Sequence, residues 1–192
     1  MRVALVHGIL DSGRKFRRLQ GYLEARGHEC LAPSLTPSDG RHGLLPLAGQ
    51  LAETINAAWG PDAGFALVGF SMGGLISRLY LQELGGHVRV DRFFAIAVPM
   101  RGSLLAWTLP GEGVRQMRPG SRLLRGLDAG AARLNGIRLY AYWTPFDAVI
   151  IPPTSARWEL AEHRRVPALC HPCLLRHPWL LADLAARLDG AG

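Results

Sequence analysis

Short apolar runs alternate along the chain with stretches whose apolar residues recur at helical spacing. The apolar runs are predicted as strands, and they cover residues 2–6, 28–33, 65–70, 90–98, 138–143 and 165–170. Helical spacing between them marks Phe16, Leu19 and Leu23, and then Leu47, Leu51 and Ile55. The pattern predicts an α/β chain with about six mostly parallel strands flanked by helices. Pro167 indicates that the last strand lies at an edge of the sheet.

A serine boxed by glycines lies where the third strand meets a helix. Gly69, Ser71 and Gly73 form a GxSxG pattern that continues into Gly74, and only residues 69–74 are left for the turn. So tight a reversal needs unusual backbone angles and a close approach of neighbouring chain, which glycine permits. The turn would hold the Ser71 hydroxyl at a helix N-terminus, where N–H groups favour negative charge. We interpret Ser71 as a catalytic nucleophile; the alternative is a small-residue helix start packed on the sheet.

The first strand runs into a His–Gly turn at residues 7 and 8. A serine nucleophile needs preorganised N–H donors for the oxyanion of its tetrahedral intermediate. We predict that one donor is the backbone N–H of Met72. The His–Gly turn lets backbone approach the same point without a Cβ, so the N–H of Ile9 is predicted as the second donor. His7 is predicted to shape this loop through hydrogen bonds rather than to act as a general base.

Five segments together resemble a known family. They are VHGIL at 6–10, GFSMGG at 69–74, VPMRGS at 98–103, WTPFDAVI at 143–150 and HPCLLRHP at 171–178. In this order they resemble small bacterial lipases and esterases of the α/β-hydrolase superfamily, although Val98 and Met100 replace the usual Thr and His. The resemblance implies a minimal α/β-hydrolase fold that lacks the first two strands of the full fold. We expect one domain over residues 1–192, with no cofactor and no metal.

The resemblance implies that the acid of a catalytic triad follows the serine and precedes the histidine. Residues 139–143 are predicted as a strand, Thr144 and Pro145 end it, and Asp147 follows in the loop. Asp128 falls in a predicted helix, and Asp91 precedes a strand. We therefore predict Asp147 as the orienting acid; the alternative is a turn aspartate that bonds its own backbone.

Two histidines compete for the role of base. His171 directly follows the last predicted strand, whereas His177 precedes Pro178 and lies near the start of the closing helix, predicted over 178–188. A catalytic imidazole belongs on the loop at the strand end, and the family's HxxLL pattern also begins at His171. We predict His171 as the base and keep His177 as the alternative.

The least regular stretch of the chain covers about residues 104–121, where lipase-like proteins place a lid or cap. Leu105, Trp107 and Leu109 are predicted to line a substrate pocket there; the alternative is an ordinary surface excursion. A cap this short predicts an accessible site that suits small esters, although an open site could also accept lipid.

The formal net charge is +7, and Lys15 is the one lysine among 22 basic residues. No run of basic and aromatic residues suggests a nucleic-acid partner. Two pairs of adjacent arginines, Arg17–Arg18 and Arg164–Arg165, are interpreted as solvated faces that could touch a lipid surface transiently. Cys30, Cys170 and Cys173 are expected to be free or buried thiols, because no second cysteine pair completes a zinc site. Without a recognisable leader or an apolar run of about 18 residues, a cytoplasmic location is expected, with a mature secreted chain as the alternative.

These features together predict a serine hydrolase that cleaves carboxylic esters through an acyl-enzyme. An acyltransferase, thioesterase or amidase would need the same triad, so the sequence leaves these reactions open. A non-catalytic binding protein on the same fold is the remaining alternative. The expected partner is a small-molecule or lipid ester.

Overall fold

A computed structural model describes residues 1–190 of the chain, and within them six strands form one sheet. All neighbouring strands pair in parallel, in the order β2-β1-β3-β4-β5-β6. The strands are β1 (Arg2–Val6), β2 (Glu29–Leu31), β3 (Phe65–Phe70), β4 (Val90–Ile96), β5 (Arg138–Trp143) and β6 (Glu162–Arg165). The parallel α/β sheet expected from the hydrophobic pattern is confirmed.

α-Helices connect the strands that follow one another in the chain, except that β5 and β6 are joined by a segment with one 3-10 turn. The α-helices are α1 (Arg17–Glu24), α2 (Leu45–Trp59), α3 (Met72–Glu83), α4 (Glu112–Gln116), α5 (Arg122–Ala129) and α6 (Pro178–Leu188). Short 3-10 turns cover Gly13–Phe16, Gly86–Val88, Leu104–Trp107, Ala131–Leu134, Pro153–Ala156 and Leu174–Arg176. The closing helix has the predicted bounds, because Pro178 occupies its first position.

Two apolar layers sandwich the sheet. Strand side chains alternate between the layers, so that in β1 Ala4 and Val6 face one layer while Val3 and Leu5 face the other. The first layer is completed by α2, α3 and α5, and the second by α1 and α6. The sheet is therefore buried on both faces, which explains the continuously apolar central strands.

The strand register brings the loops that follow β1, β3, β4 and β5 to one edge of the sheet. Gly69 near the end of β3 pairs with Val6 at the end of β1 and with Ala95 of β4. Ala95 in turn pairs with Ala141 of β5. The strand order also reverses at the β1–β3 neighbours, and open α/β sheets bind ligands at the carboxyl ends of strands beside such a reversal.

The last predicted strand is wrong in its position. The run 165–170 was expected to be extended and paired, but β6 covers Glu162–Arg165 and the chain leaves the sheet at Val166. Pro167 carries no N–H, so the ladder cannot continue through it. The polar residues of β6 fit a strand that lies at the sheet edge, where the alternation of apolar residues is lost.

Candidate active site

Ser71 occupies a strained turn between β3 and α3. Its backbone has φ 54° and ψ −126°, a combination that a side-chain-bearing residue rarely adopts. The Ser71 N–H donates to the Ile96 carbonyl at 2.9 Å, so the turn is tied to the neighbouring strand β4. Strain of this kind costs about 1–3 kcal/mol and persists where the surrounding structure enforces it. The turn has the geometry of a nucleophile elbow.

The glycines around Ser71 are required by close approach. A Cβ on Gly69 would lie 2.5 Å from the Gly74 Cα, and one on Gly73 would lie 2.2 Å from the Val6 carbonyl oxygen. A Cβ on Gly74 would lie 2.0 Å from the Val98 Cγ2. Contacts this short do not occur in folded proteins. The start of α3 can pack directly against the sheet edge because these three positions lack side chains.

His7 builds the loop that faces the elbow. The His7 Nε2 accepts a hydrogen bond from the Leu35 N–H at 2.9 Å. An accepting Nε2 carries no proton, so the proton of the neutral ring is on Nδ1, which lies 2.8 Å from the Gly8 carbonyl and donates to it. Burial lowers the pKa of His7, which keeps the ring neutral as both bonds require. The structural role predicted for His7 is confirmed. A Cβ on Gly8 would lie 3.1 Å from the Ser71 Cβ, so this loop closely approaches the serine.

Two backbone N–H groups beside Ser71 are unoccupied. Within residues 1–190, neither the N–H of Ile9 nor that of Met72 donates a hydrogen bond to another residue. Met72 is the first residue of α3, and Ile9 lines the same small cavity as Ser71. Free N–H groups at a helix start and on a facing loop can bind an anion or an oxyanion.

Asp147 and His171 form a buried pair near this edge. The Asp147 Oδ2 lies 2.7 Å from the His171 Nδ1, and the two residues are 4% and 8% exposed. The other oxygen, Oδ1, accepts the N–H groups of Val149 and Ile150 at 2.9 Å each. The carboxylate is therefore fixed by its own loop while it orients the imidazole. The His171 ring packs on Phe70, the residue before Ser71, with centroids 4.7 Å apart.

His177 makes no hydrogen bond to this pair within residues 1–190. It lies directly before α6, and its Nδ1 is buried without a hydrogen-bond partner in the described part of the chain. Within residues 1–190, no hydrogen bond joins the Ser71 hydroxyl to either His171 or His177. Of the two candidates, His171 is the one bonded to Asp147.

A small apolar cavity of about 50 Å³ opens beside Ser71. Leu105 lines it as predicted, whereas Trp107 does not. Trp107 is 59% exposed, stacks under the Arg118 guanidinium at 4.4 Å and faces a separate open groove. Leu109 lines the cavity as well, and the lining that the sequence reasoning missed is Pro99, Ser103, Ala106, Val114, Met117, Val149 and Ile150. These residues come from two separate stretches of the chain, 99–117 and 149–150, so no local pattern marks them.

Ser103 joins the residues before the 104–121 segment to the loop that carries Asp147. Its hydroxyl donates to the Val149 carbonyl at 2.8 Å and accepts the Ile151 N–H at 3.0 Å. Its backbone N–H donates to the Met117 carbonyl at 2.9 Å. Ser103 therefore fixes the acid loop and closes the base of the neighbouring segment. In the sequence, Ser103 stands out only as the last residue of the VPMRGS motif, and the motif does not indicate which residues Ser103 contacts.

Cys170 and Cys173 form a disulfide, with Cα atoms 5.1 Å apart. The expectation of free or buried thiols is wrong for these two residues. A CxxC turn brings its sulfurs within bonding reach without a second cysteine pair. Cys30 is free and half-buried, and burial raises the pKa of its thiol to about 12.

Residues 1–190 contain no candidate metal site and no candidate membrane-spanning helix. There, no group of three or more His, Cys, Asp or Glu side chains is placed to hold a metal ion. No helix in this part of the chain has the length and apolar character needed to cross a membrane.

The parallel sheet, the serine elbow and the Asp–His pair at the strand ends define an α/β-hydrolase fold, and comparison with solved structures agrees. Aspergillus fumigatus lipase B superposes with a TM-score of 0.84 at 16% identity, covering 98% of this chain and 52% of that one. The mature Bacillus licheniformis lipase BlEst2 superposes with a TM-score of 0.80 at 14% identity, covering 97% and 91%. The expected fold class is confirmed.

Comparison by sequence adds a different set of relatives. Lysosomal thioesterase PPT2 of Homo sapiens is 32% identical over 118 residues, which are 56% of this chain, and its Mus musculus counterpart is 31% identical. The match spans 38% of the length of these curated relatives. No protein-family model matches the chain.

Proposed function

We propose that the chain is a serine hydrolase of carboxylic esters with short acyl groups. The observation that carries the proposal is the strained Ser71 elbow, held at φ 54° on the same sheet edge as the bonded Asp147–His171 pair. Strain on a side-chain-bearing residue is retained where function needs it. Lipases and esterases among the structural neighbours support the same reaction class.

The proposed mechanism assigns one role to each residue. Asp147 holds the imidazole with its Nδ1 protonated, so the His171 Nε2 can take the proton from Ser71. The Ser71 hydroxyl attacks the ester carbonyl, and the N–H groups of Ile9 and Met72 stabilise the oxyanion. The alcohol leaves with the proton from His171, and water activated by the same ring then releases the acid. The Ser71–His171 contact would tighten when substrate binds, as is common in this class of site.

The size of the apolar cavity supports a short acyl chain. Its volume is about 50 Å³. A water-sized group needs roughly 10–15 Å³ of such volume, so the cavity holds about three to five of them. We assign this cavity to the acyl chain because Ser71 lies in its wall and its other lining side chains are mainly apolar. The open groove beside Trp107 would then hold the alcohol part of the ester or solvent.

A second candidate reaction is hydrolysis of thioesters. The observation that favours it is the sequence similarity to lysosomal thioesterase PPT2. The same triad cleaves thioesters, since only the leaving group changes. Because the match covers 38% of those relatives, their activity is carried to this chain only as this alternative.

The decisive experiment compares esters and thioesters of matched acyl chains on the purified protein. Wild type, Ser71→Ala and Ser12→Ala would be assayed with nitrophenyl esters and acyl thioesters, with a fluorophosphonate probe to label the nucleophile. Ser12 is the control, because it lies outside the site and makes no side-chain capping bond. We expect turnover and labelling to vanish in Ser71→Ala alone. Thioester turnover without ester turnover would favour the second candidate, and neither activity in folded, unlabelled protein would refute both.

A different feature bears on the location of the protein. Disulfides persist in oxidising compartments and are rare in the cytosol. The Cys170–Cys173 disulfide and the lysosomal relatives therefore support a non-cytoplasmic location. The cytoplasmic location expected from the sequence stays a prediction, which fractionation of the producing cells would test.

A further inference from the structure

The Cys170–Cys173 disulfide encloses His171 and Pro172 in a small covalent ring. The bond joins residues three apart, and His171 within the ring lies 2.7 Å from Asp147. The imidazole is thus held from two sides, by the carboxylate at its Nδ1 and by the ring through its backbone.

The remaining contacts hold the flanks of this turn, where the Thr144 hydroxyl donates to the Ala168 carbonyl and Leu174 is buried. Val166 is still bound to Trp143 at 2.8 Å, but Leu169 is 78% exposed. Two backbone hydrogen bonds span the turn, from the Cys173 N–H to the Cys170 carbonyl at 3.1 Å and from the Leu174 N–H to the His171 carbonyl at 3.4 Å. A single hydrogen bond contributes modestly to stability, so the disulfide adds a covalent restraint on the backbone at His171.

The disulfide is within reach of a reductant. Cys170 and Cys173 are both half-buried, and Cys173 lines an open cleft of about 220 Å³. Lys15 and Arg176 line the same cleft, and Lys15 also pairs with Asp11 at 2.9 Å. Nearby cations favour a cysteine thiolate over the thiol. A reductant can approach the disulfide through this cleft, and disulfides that a reductant can reach are the ones that exchange.

We propose that the Cys170–Cys173 disulfide is a positioning element for His171, and that its cleavage by a dithiol slows catalysis reversibly. The proposal rests on the function proposed above. A thiolate of the dithiol attacks one sulfur, the Cys170–Cys173 bond breaks, and a mixed disulfide forms. The second thiol of the reductant then displaces the chain. The reductant ends as a disulfide, and the chain gains two electrons and two protons as two thiols.

The test uses the full chain in its oxidised and reduced forms. Mass analysis after alkylation would establish complete reduction by dithiothreitol, and kcat and KM would be measured with a nitrophenyl butyrate ester. We expect kcat to fall on the order of 10-fold, with KM changed by less than about 2-fold, because a misplaced base affects the chemical step more than binding. Re-oxidation with glutathione disulfide should restore kcat.

Two variants separate the disulfide from other thiol effects. The double variant Cys170→Ser with Cys173→Ser should match the reduced wild type and ignore dithiothreitol. Cys30→Ser is the matched control and should respond like the wild type. The raised pKa of Cys30 keeps its thiol protonated, so it does not compete in exchange.

A spectroscopic readout distinguishes this proposal from the proposed function. The proton between the His171 Nδ1 and Asp147 should give a low-field NMR resonance in the oxidised protein that broadens or disappears on reduction, while the circular dichroism spectrum is unchanged. This readout does not need turnover. Absence of hydrolysis in the oxidised wild type would therefore count against the function alone. Unchanged kcat and an unchanged resonance in fully reduced protein would overturn the positioning role.

Discussion

Enlarging the acyl cavity at Met117 should shift the preferred chain length of the substrate. The cavity of about 50 Å³ accepts roughly three to five carbons beyond the carbonyl. Each buried methylene contributes about 0.8 kcal/mol, which is about fourfold in kcat/KM. Wild-type kcat/KM should rise by about this factor per carbon up to that length and then level off or fall. Met117→Ala removes the side chain beyond Cβ, so the rise should continue for about three more carbons.

The assay is a nitrophenyl ester series from acetate to dodecanoate, with kcat/KM plotted against chain length. Met117 is buried, so its truncation should cost about 2–5 kcal/mol of unfolding free energy, and the series must be run well below the melting temperature. Leu124→Ala is the matched control, because Leu124 is buried in the same apolar layer but does not line the cavity. It should lose similar stability and keep the wild-type length profile.

Two results would refute the assignment of this cavity. A Met117→Ala profile that peaks at the wild-type length would mean that the acyl chain binds elsewhere. An equal shift in Leu124→Ala would mean that loosening of the whole layer, rather than the cavity wall, sets the preference.

Three further predictions test the supports of the site. Ser103→Ala should lower kcat about 10-fold with little change in KM, because the Asp147 loop loses two of its hydrogen bonds; kinetics of the variant with the butyrate ester would check this. The lowered pKa of His7 means that at this residue the unfolded chain binds a proton more readily than the folded chain, so the free energy of unfolding should fall as the pH drops below 6.5. Urea unfolding at several pH values should show a smaller fall of this free energy with pH in His7→Gln than in the wild type. Gly74→Ala should destabilise by about 1–3 kcal/mol or more through its clash, whereas Gly49→Ala, in α2 with open space, should stabilise by about 0.5–1 kcal/mol in thermal unfolding.

The sequence predicted those parts of the molecule whose geometry is encoded locally. The elbow was found because GxSxG needs both a preceding strand and a following helix, and both were visible in the hydrophobic pattern around Ser71. Five strands and the closing helix were found for the same reason. The sixth strand was misplaced because edge pairing of β6 rests on backbone bonds to β5, which leave no apolar signature in Glu162–Arg165.

Features that depend on contacts between loops distant in the chain could not be predicted from the hydrophobic pattern of the sequence. Leu105 and Trp107 are two residues apart in one segment, yet the 3-10 turn at Leu104–Trp107 directs one into the cavity and the other to the surface. The bonding of Ser103 to Val149 depends on how two loops fold over the sheet edge. The disulfide required knowing that the turn at His171 brings both sulfurs together.

The closure at Ser103 gives the cap segment a modular character. Its N–H bond to Met117 brings the two ends of residues 103–117 together, while its hydroxyl is committed to the acid loop. A transplanted loop of another length could therefore be inserted between these ends without displacing Asp147, since chain ends that are already close tolerate insertion well. Because Leu105, Val114 and Met117 all belong to this interval, such a graft would carry its own substrate selectivity onto an unchanged catalytic frame.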